Sequence, residues 1–161
     1  MSAEAVRVPL EGEKGGDTAQ MLLVRVGGEL FAVDLDASEE ALEFPDLQRL
    51  AGMPGAALGV FVLRDQLVSV YSPERALRVR READAGVVLV IKVKGRRMAL
   101  ALDDVEEVIT VDFSDVKRPS PRDAADGVLV GIARHGDSLV GLVNVEALAA
   151  ACVDSPAGDI S

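Results

Sequence analysis

Residues 53–71 read MPGAALGVFVLRDQLVSVY. Two runs of β-favouring residues, 58–63 and 67–71, flank a short polar turn, Arg64-Asp65-Gln66. Such runs on both sides of a tight turn predict a β-hairpin. The tip of this apolar hairpin carries an arginine, in a chain whose formal charge is −10.

The pattern around the hairpin occurs twice. Upstream, MLLVRV, Gly27-Gly28 and ELFAVDL predict a hairpin turning on two glycines. Residues 36–42 then predict a short helix, with Ser38 as its N-cap and Glu39 and Glu40 suited to a helix start. Pro45, Gly52, Pro54 and Gly55 mark a long connection to the central hairpin, and a short helical piece follows at 73–77 with Pro73 early in it. Downstream, residues 86–93 and 97–102 form a second early hairpin around Lys94-Gly95-Arg96. A mixed stretch at 103–111 continues towards a strand at 108–111. Pro119, Pro121 and Gly127 mark the second long connection. A late hairpin (128–133 and 139–143, turning at 134–137) and a short helix at 145–151 close the chain. GVFVLRDQLVSVYSPERAL from Gly59 lines up with GIARHGDSLVGLVNVEAL from Gly131. Each half supplies about five short strands, and a small antiparallel sheet avoids open edges by closing on itself. The expected fold is therefore mostly β: two small five-stranded barrels, one over about 21–80 and one over about 86–151, with short helices. The alternative is a single larger sandwich. Residues 1–20 read as a disordered N-terminal arm and 152–161 as a flexible tail.

Bulk properties narrow the function. Hydrophobic residues make up 49% of 161, enough for a core, but aromatics are 3% and Trp is absent, so Val, Leu, Ala and Ile must build it. The acidic balance opposes nucleic acid and anionic lipid as partners and leaves proteins and small molecules. No apolar run approaches the roughly 18–20 residues of a membrane span, the first residues lack a signal pattern, and Cys152 has no partner for an internal disulfide. A cytoplasmic protein is expected.

The residues that could do chemistry are few. His135 sits in a turn. Cys152 lies among alanines with nothing basic beside it in sequence to lower its pKa. No serine has a nucleophile-elbow context and no glycine run has phosphate-binding spacing. The acidic stretch beginning at Asp34 fails as a calcium loop, with Glu39 where glycine and Pro45 where glutamate are needed. Asp103, Asp104, Glu106 and Glu107 read as a solvated face. No catalytic residue, metal or cofactor is expected; a binding module is.

The central stretch also resembles the CheW-like family of bacterial chemotaxis coupling proteins, together with the CheW-like regulatory domain of the CheA kinase. Pro54, Gly59, Val60, Leu63 and Arg64 fit the family's Pro followed by Gly-Val-x-Asn-Leu-Arg-Gly, and Glu40 matches a family glutamate upstream. Leu102, Asp103, Val105 and Val108 fit a Val-Asp-x-Val-x-x-Val pattern, and residues 129–132 and 142–148 fit the closing segment. The similarity covers about 130 residues and implies two SH3-like barrels. It also implies a non-enzymatic adaptor in a chemosensory array, joining a CheA-type histidine kinase, through its regulatory domain, to the cytoplasmic tip of a methyl-accepting chemoreceptor, with other CheW-like domains as further partners and no membrane insertion. Carried over, the receptor-binding residues are Arg64, Gly59, Leu63 and Glu40; the kinase-binding residues are unassigned. The departures fall in the first half: Val62 replaces the family Asn, Asp65 the Gly and Ser69 a strand Pro. Asp65 beside Arg64 is expected to compete for the guanidinium. The alternative is a divergent accessory protein that binds kinase or receptor alone and modulates array assembly.

Overall fold

The structure, a computed structural model, describes residues 18–53, 55–123 and 126–154. Residues 1–17 of the expected arm and 155–161 of the expected tail lie outside them. The chain runs β1 (Thr18–Val26), β2 (Glu29–Asp34), β3 (Ser38–Glu43), β4 (Ala57–Leu63), β5 (Gln66–Tyr71), α1 (Glu74–Leu77), β6 (Val87–Val93), β7 (Arg96–Leu102), β8 (Asp104–Asp112), β9 (Leu129–His135), β10 (Ser138–Val143) and α2 (Val145–Val153). The protein is mostly β, as expected, with two five-stranded sheets.

The sheets do not follow the two halves. One has the order β8-β1-β2-β10-β9 and the other β3-β6-β7-β5-β4. Each early hairpin is completed by the third strand and late hairpin of the opposite half. The partition into barrels over 21–80 and 86–151 is therefore corrected: the halves are exchanged. The reason is that strand pairing is set by long-range burial, which local periodicity does not record. Equivalent roles recur in both sheets, and even the parallel contacts correspond, β2 with β10 and β5 with β7. The repeat is thus real at the level of topology.

Neither sheet closes by a continuous ladder. β3 and β4 are the margins of one, β8 and β9 of the other. The segment after β3 crosses to β4 through the Gln48–Val60 bridge, and the segment after β8 crosses to β9 through Lys117–Ile132. Two straps thus cover one margin of each sheet, which gives each a curled, SH3-like form.

Alternation along the strands sorts the apolar residues into three layers. Met21 and Leu23 point into the core enclosed by the first sheet, with Ile109, Val111, Phe113 and Leu142. Val68, Val70, Val88 and Val90 fill the second. Leu22, Val24 and Phe31 from one sheet meet Leu89, Ile91 and Leu100 from the other, with α2 alongside. Strands buried on both faces explain the unbroken apolar runs at 21–24 and 87–91.

Three local expectations change. Residues 38–43 form strand β3, not a helix. Asp34 instead caps a single 3-10 turn, Leu35–Ala37, and β3 pairs with β6. Pairing to a neighbouring strand overrides weak helix signals. β1 begins three residues before Met21. At the other end, α2 continues through Val153 and buries Val145, Leu148, Ala149 and Cys152, spaced as one helical face, with Asn144 accepting a hydrogen bond from the Ala147 N–H at 3.1 Å. Cys152 therefore belongs to the core and not to the tail.

Candidate functional site

The β4–β5 turn has two residues, Arg64 and Asp65, with φ of 49° and 68°. Both angles positive between antiparallel strands is the type I′ geometry, which fits the twist of a hairpin. The turn projects the Arg64 side chain outward, 70% exposed. Its guanidinium Nη2 donates to Glu40 on β3, 2.7 Å from Oε1 and 3.0 Å from Oε2. Two of the four residues singled out in the sequence, 24 positions apart, thus meet. The pair spans the margin between β3 and β4, where no ladder joins the strands. Glu39, at the register shift in β3, is held by Arg97 of β7 at 2.6 Å, and Arg97 also donates to Gln66 at 2.9 Å. Asp65 does not hold the arginine; Glu40 does. The expectation of competition from the adjacent carboxylate is corrected, because a type I′ turn spends both residues on the reversal and leaves Glu40 facing the guanidinium.

The other two residues sit differently. Gly59 is buried beside a register shift in β4. Its φ is +152°, and a Cβ there would lie 2.9 Å from the Gln48 carbonyl oxygen and from the Leu47 side chain. The strap's approach requires a glycine by itself. Leu63 is half-buried and packs on the second sheet's core.

What sequence reasoning missed lies next to Arg64. Val60, Val68 and Val70 are buried, but Val62 is 65% exposed and faces Leu67, 68% exposed, directly across the ladder. An exposed apolar cross-strand pair beside a charged turn is a feature of docking surfaces. Alternation alone groups Val62 with Val60, Val68 and Val70 as core, and this is corrected for Val62: it shares a face of β4 with Val60, but only Val60 is bridged by Gln48 and buried.

The few side chains that could do chemistry are placed as follows. His135 ends β9, its Nε2 3.2 Å from Glu107 Oε2. Cys152 is buried, which pushes its thiol up to about 12, far from a reactive thiolate. Glu106 is taken by Arg25 at 2.9 Å, and Asp103 accepts from the Gly28 N–H at 3.0 Å. Among the described residues no group of His, Cys, Asp and Glu is placed to hold a metal ion. No helix among them is long and apolar enough to cross a membrane.

Residues 20–152 match the CheW-like domain family. The chain belongs to the CheW-like family. Chemotaxis protein CheW of Klebsiella aerogenes is 27% identical over 158 residues, spanning 92% of this chain and 90% of that protein. Chemotaxis protein CheW of Rhizobium meliloti is 27% identical over 109 residues, 66% of this chain and 70% of that protein. The crystal structure of the scaffolding protein TtCheW from Thermoanaerobacter tengcongensis matches with a TM-score of 0.68 at 19% identity, covering 77% of this chain and 87% of that one; this likeness concerns the fold. CheW-like proteins are non-enzymatic scaffold adaptors of chemotaxis, and the CheW-like domain here takes up nearly all of the described chain.

Proposed function

We propose that this protein is a cytoplasmic coupling adaptor that joins a CheA-type histidine kinase to chemoreceptors. The observation that carries the reading is the Arg64–Glu40 pair beside the exposed Val62–Leu67 pair. Together they make a small apolar patch with a charged border, suited to the apolar and polar side chains of a receptor's helical tip. An exposed ion pair stabilises a fold by at most about 1 kcal/mol, so its value lies more in fixing the direction of the arginine for a partner. Within this reading Arg64 and Glu40 contact the receptor, while Leu63 and Gly59 shape the hairpin beneath them. The kinase's regulatory domain, itself CheW-like, docks elsewhere, barrel against barrel, as would other CheW-like domains.

The test is titration calorimetry of the protein against the receptor's cytoplasmic tip and against the kinase regulatory domain from the same organism. Micromolar affinity is expected for both, typical of modest interfaces. Arg64→Glu should weaken receptor binding about tenfold, on the order of 1.4 kcal/mol, and kinase binding less than about twofold. No binding to either partner sinks the adaptor reading; an unaltered receptor affinity removes Arg64 from the interface. Binding to one partner alone would favour a divergent accessory protein, a reading supported by Asp65 and Ser69 on this same hairpin.

A further inference from the structure

The β6–β7 hairpin carries a charge pattern that the adaptor reading leaves unused. Lys92, Lys94, Arg96 and Arg97 fall within six residues, and the whole chain has only 17 Lys and Arg against 27 Asp and Glu. Arg97 is committed to Glu39 and Gln66. Lys94 and Arg96 are exposed and have no ionic partner among the described residues. They border a groove of about 270 Å³ between the hairpin and α2, floored by Tyr71, Met98, Ala149 and Val153. One carboxylate, Glu146, lies on its wall. Val153 is 42% exposed there although it ends the last helix. On β5, Leu67 shares a face with Ser69 and Tyr71, so the apolar floor leads towards the exposed Leu67.

The exchanged repeat supplies an internal comparison. The topologically equivalent groove lies against α1 on the other sheet, where Phe31 takes the place of Met98 and Gly141 that of Ser69. Its turn is Gly27-Gly28 in place of Lys94-Gly95, and its border includes Glu29, Asp123 and Asp126 with Arg78. The same framework thus has opposite border charges at its two ends. Packing does not require this, because the turn positions are exposed and Lys94 adopts φ of 53°, where glycine serves equally well.

We propose that the groove between the β6–β7 hairpin and α2 docks an acidic amphipathic segment of a partner protein, its apolar side chains on Met98 and Val153 and its carboxylates against Lys94 and Arg96. The occupant follows from charge complementarity: two unpaired cations over an apolar floor, in a chain whose net charge is −10. That net repulsion disfavours a nucleic acid or an anionic membrane, both of which engage extended surfaces. The site adjoins the Arg64 hairpin but does not depend on the adaptor reading.

The test uses the full chain and a fluorescein-labelled synthetic helix of alternating Leu and Glu faces, with a Glu-to-Gln version as control, followed by anisotropy at low salt. Binding of the acidic helix is expected, about tenfold tighter than the Gln version, and weakened several-fold by moderate salt. The double variant Lys94→Gln, Arg96→Gln should lose about fivefold to tenfold, whereas Glu29→Gln in the opposite groove should change nothing. Amide chemical shifts should move at 94–98 and along α2, which places the contact even if a variant is altered in stability. Equal binding of both helices, full affinity in the double variant, or tighter binding to phosphatidylserine vesicles or single-stranded DNA would each overturn the proposal.

Discussion

At the scale of single residues, Asp34 is the position where burial and charge conflict. It is the one buried charged residue among those described, 3% exposed at the end of β2. Its Oδ1 accepts the Asp36 N–H at 2.8 Å and so starts the 3-10 turn that delivers the chain to β3. Burial raises its pKa, and the Asp36 charge adds to the rise against the opposing backbone hydrogen bonds. A carboxyl whose folded pKa exceeds its unfolded value favours the fold while protonated. That contribution is complete below the ordinary carboxylate range and is lost as pH rises through the folded pKa. Asp34→Asn keeps an oxygen acceptor and removes the charge. The variant should therefore gain on the parent protein as pH rises through and above the ordinary carboxylate range and stay ahead at neutral pH, as measured by urea unfolding at a series of pH values. A constant difference across that range would mean that Asp34 is as well solvated in the fold as in the unfolded chain. No sequence pattern announces such a residue: Asp34 reads as one more polar residue in an alternating strand, and only its burial where β2 passes into the 3-10 turn makes it unusual.

At the scale of elements, the β4–β5 hairpin shows what a local reading can and cannot reach. The strands, the polar turn and the presence of Arg64 at its tip were legible because alternation and turn chemistry are short-range signals. Glu40 was legible only through the family resemblance, since nothing in the residues 24 positions away indicates that β3 lies within reach of the turn. β3 itself was misread: Ser38-Glu39-Glu40 looks like a helix start, and its strand form comes from pairing with β6, almost fifty residues later. The turn also carries a local cost. Asp65 holds a φ of 68° at a position where type I′ turns favour glycine. Asp65→Gly relieves that strain, and the greater freedom of glycine in the unfolded chain offsets part of the gain. The net expectation is a stabilisation of about 0.5 kcal/mol, or roughly 1–2 °C in Tm, with the Arg64–Glu40 geometry retained. A loss of stability would show that the Asp65 carboxylate contributes more to the turn than its backbone costs.

At the scale of the molecule, the exchange of strands between halves governs how the chain can fold. Among the described residues, the ladders within each half are two hairpins only, β1–β2 with β4–β5, and β6–β7 with β9–β10. Every other ladder between these strands joins one half to the other: β1 with β8, β2 with β10, β3 with β6 and β5 with β7. Isolated hairpins are marginal in water, so neither half has a sheet, or a closed core, of its own. The halves are connected once, through 78–86, where Arg81 anchors the crossing by an ion pair to Glu74 at 3.1 Å and by its backbone N–H to the same carboxylate at 2.8 Å. Residues 82–84 beyond this anchor are exposed. A break between Ala83 and Asp84 therefore removes no ladder and no core contact; it converts an internal association into a bimolecular one. Fragments 1–83 and 84–161 should each lack a cooperative thermal transition alone. Mixed in equal amounts, they should regain the β-sheet circular dichroism of the intact chain and a cooperative transition whose midpoint rises with concentration. If either fragment unfolds cooperatively by itself, two self-contained barrels would describe the chain better than two exchanged sheets. The prediction separates the two architectures because they contain the same strands and nearly the same repeat, and differ only in which half completes which sheet.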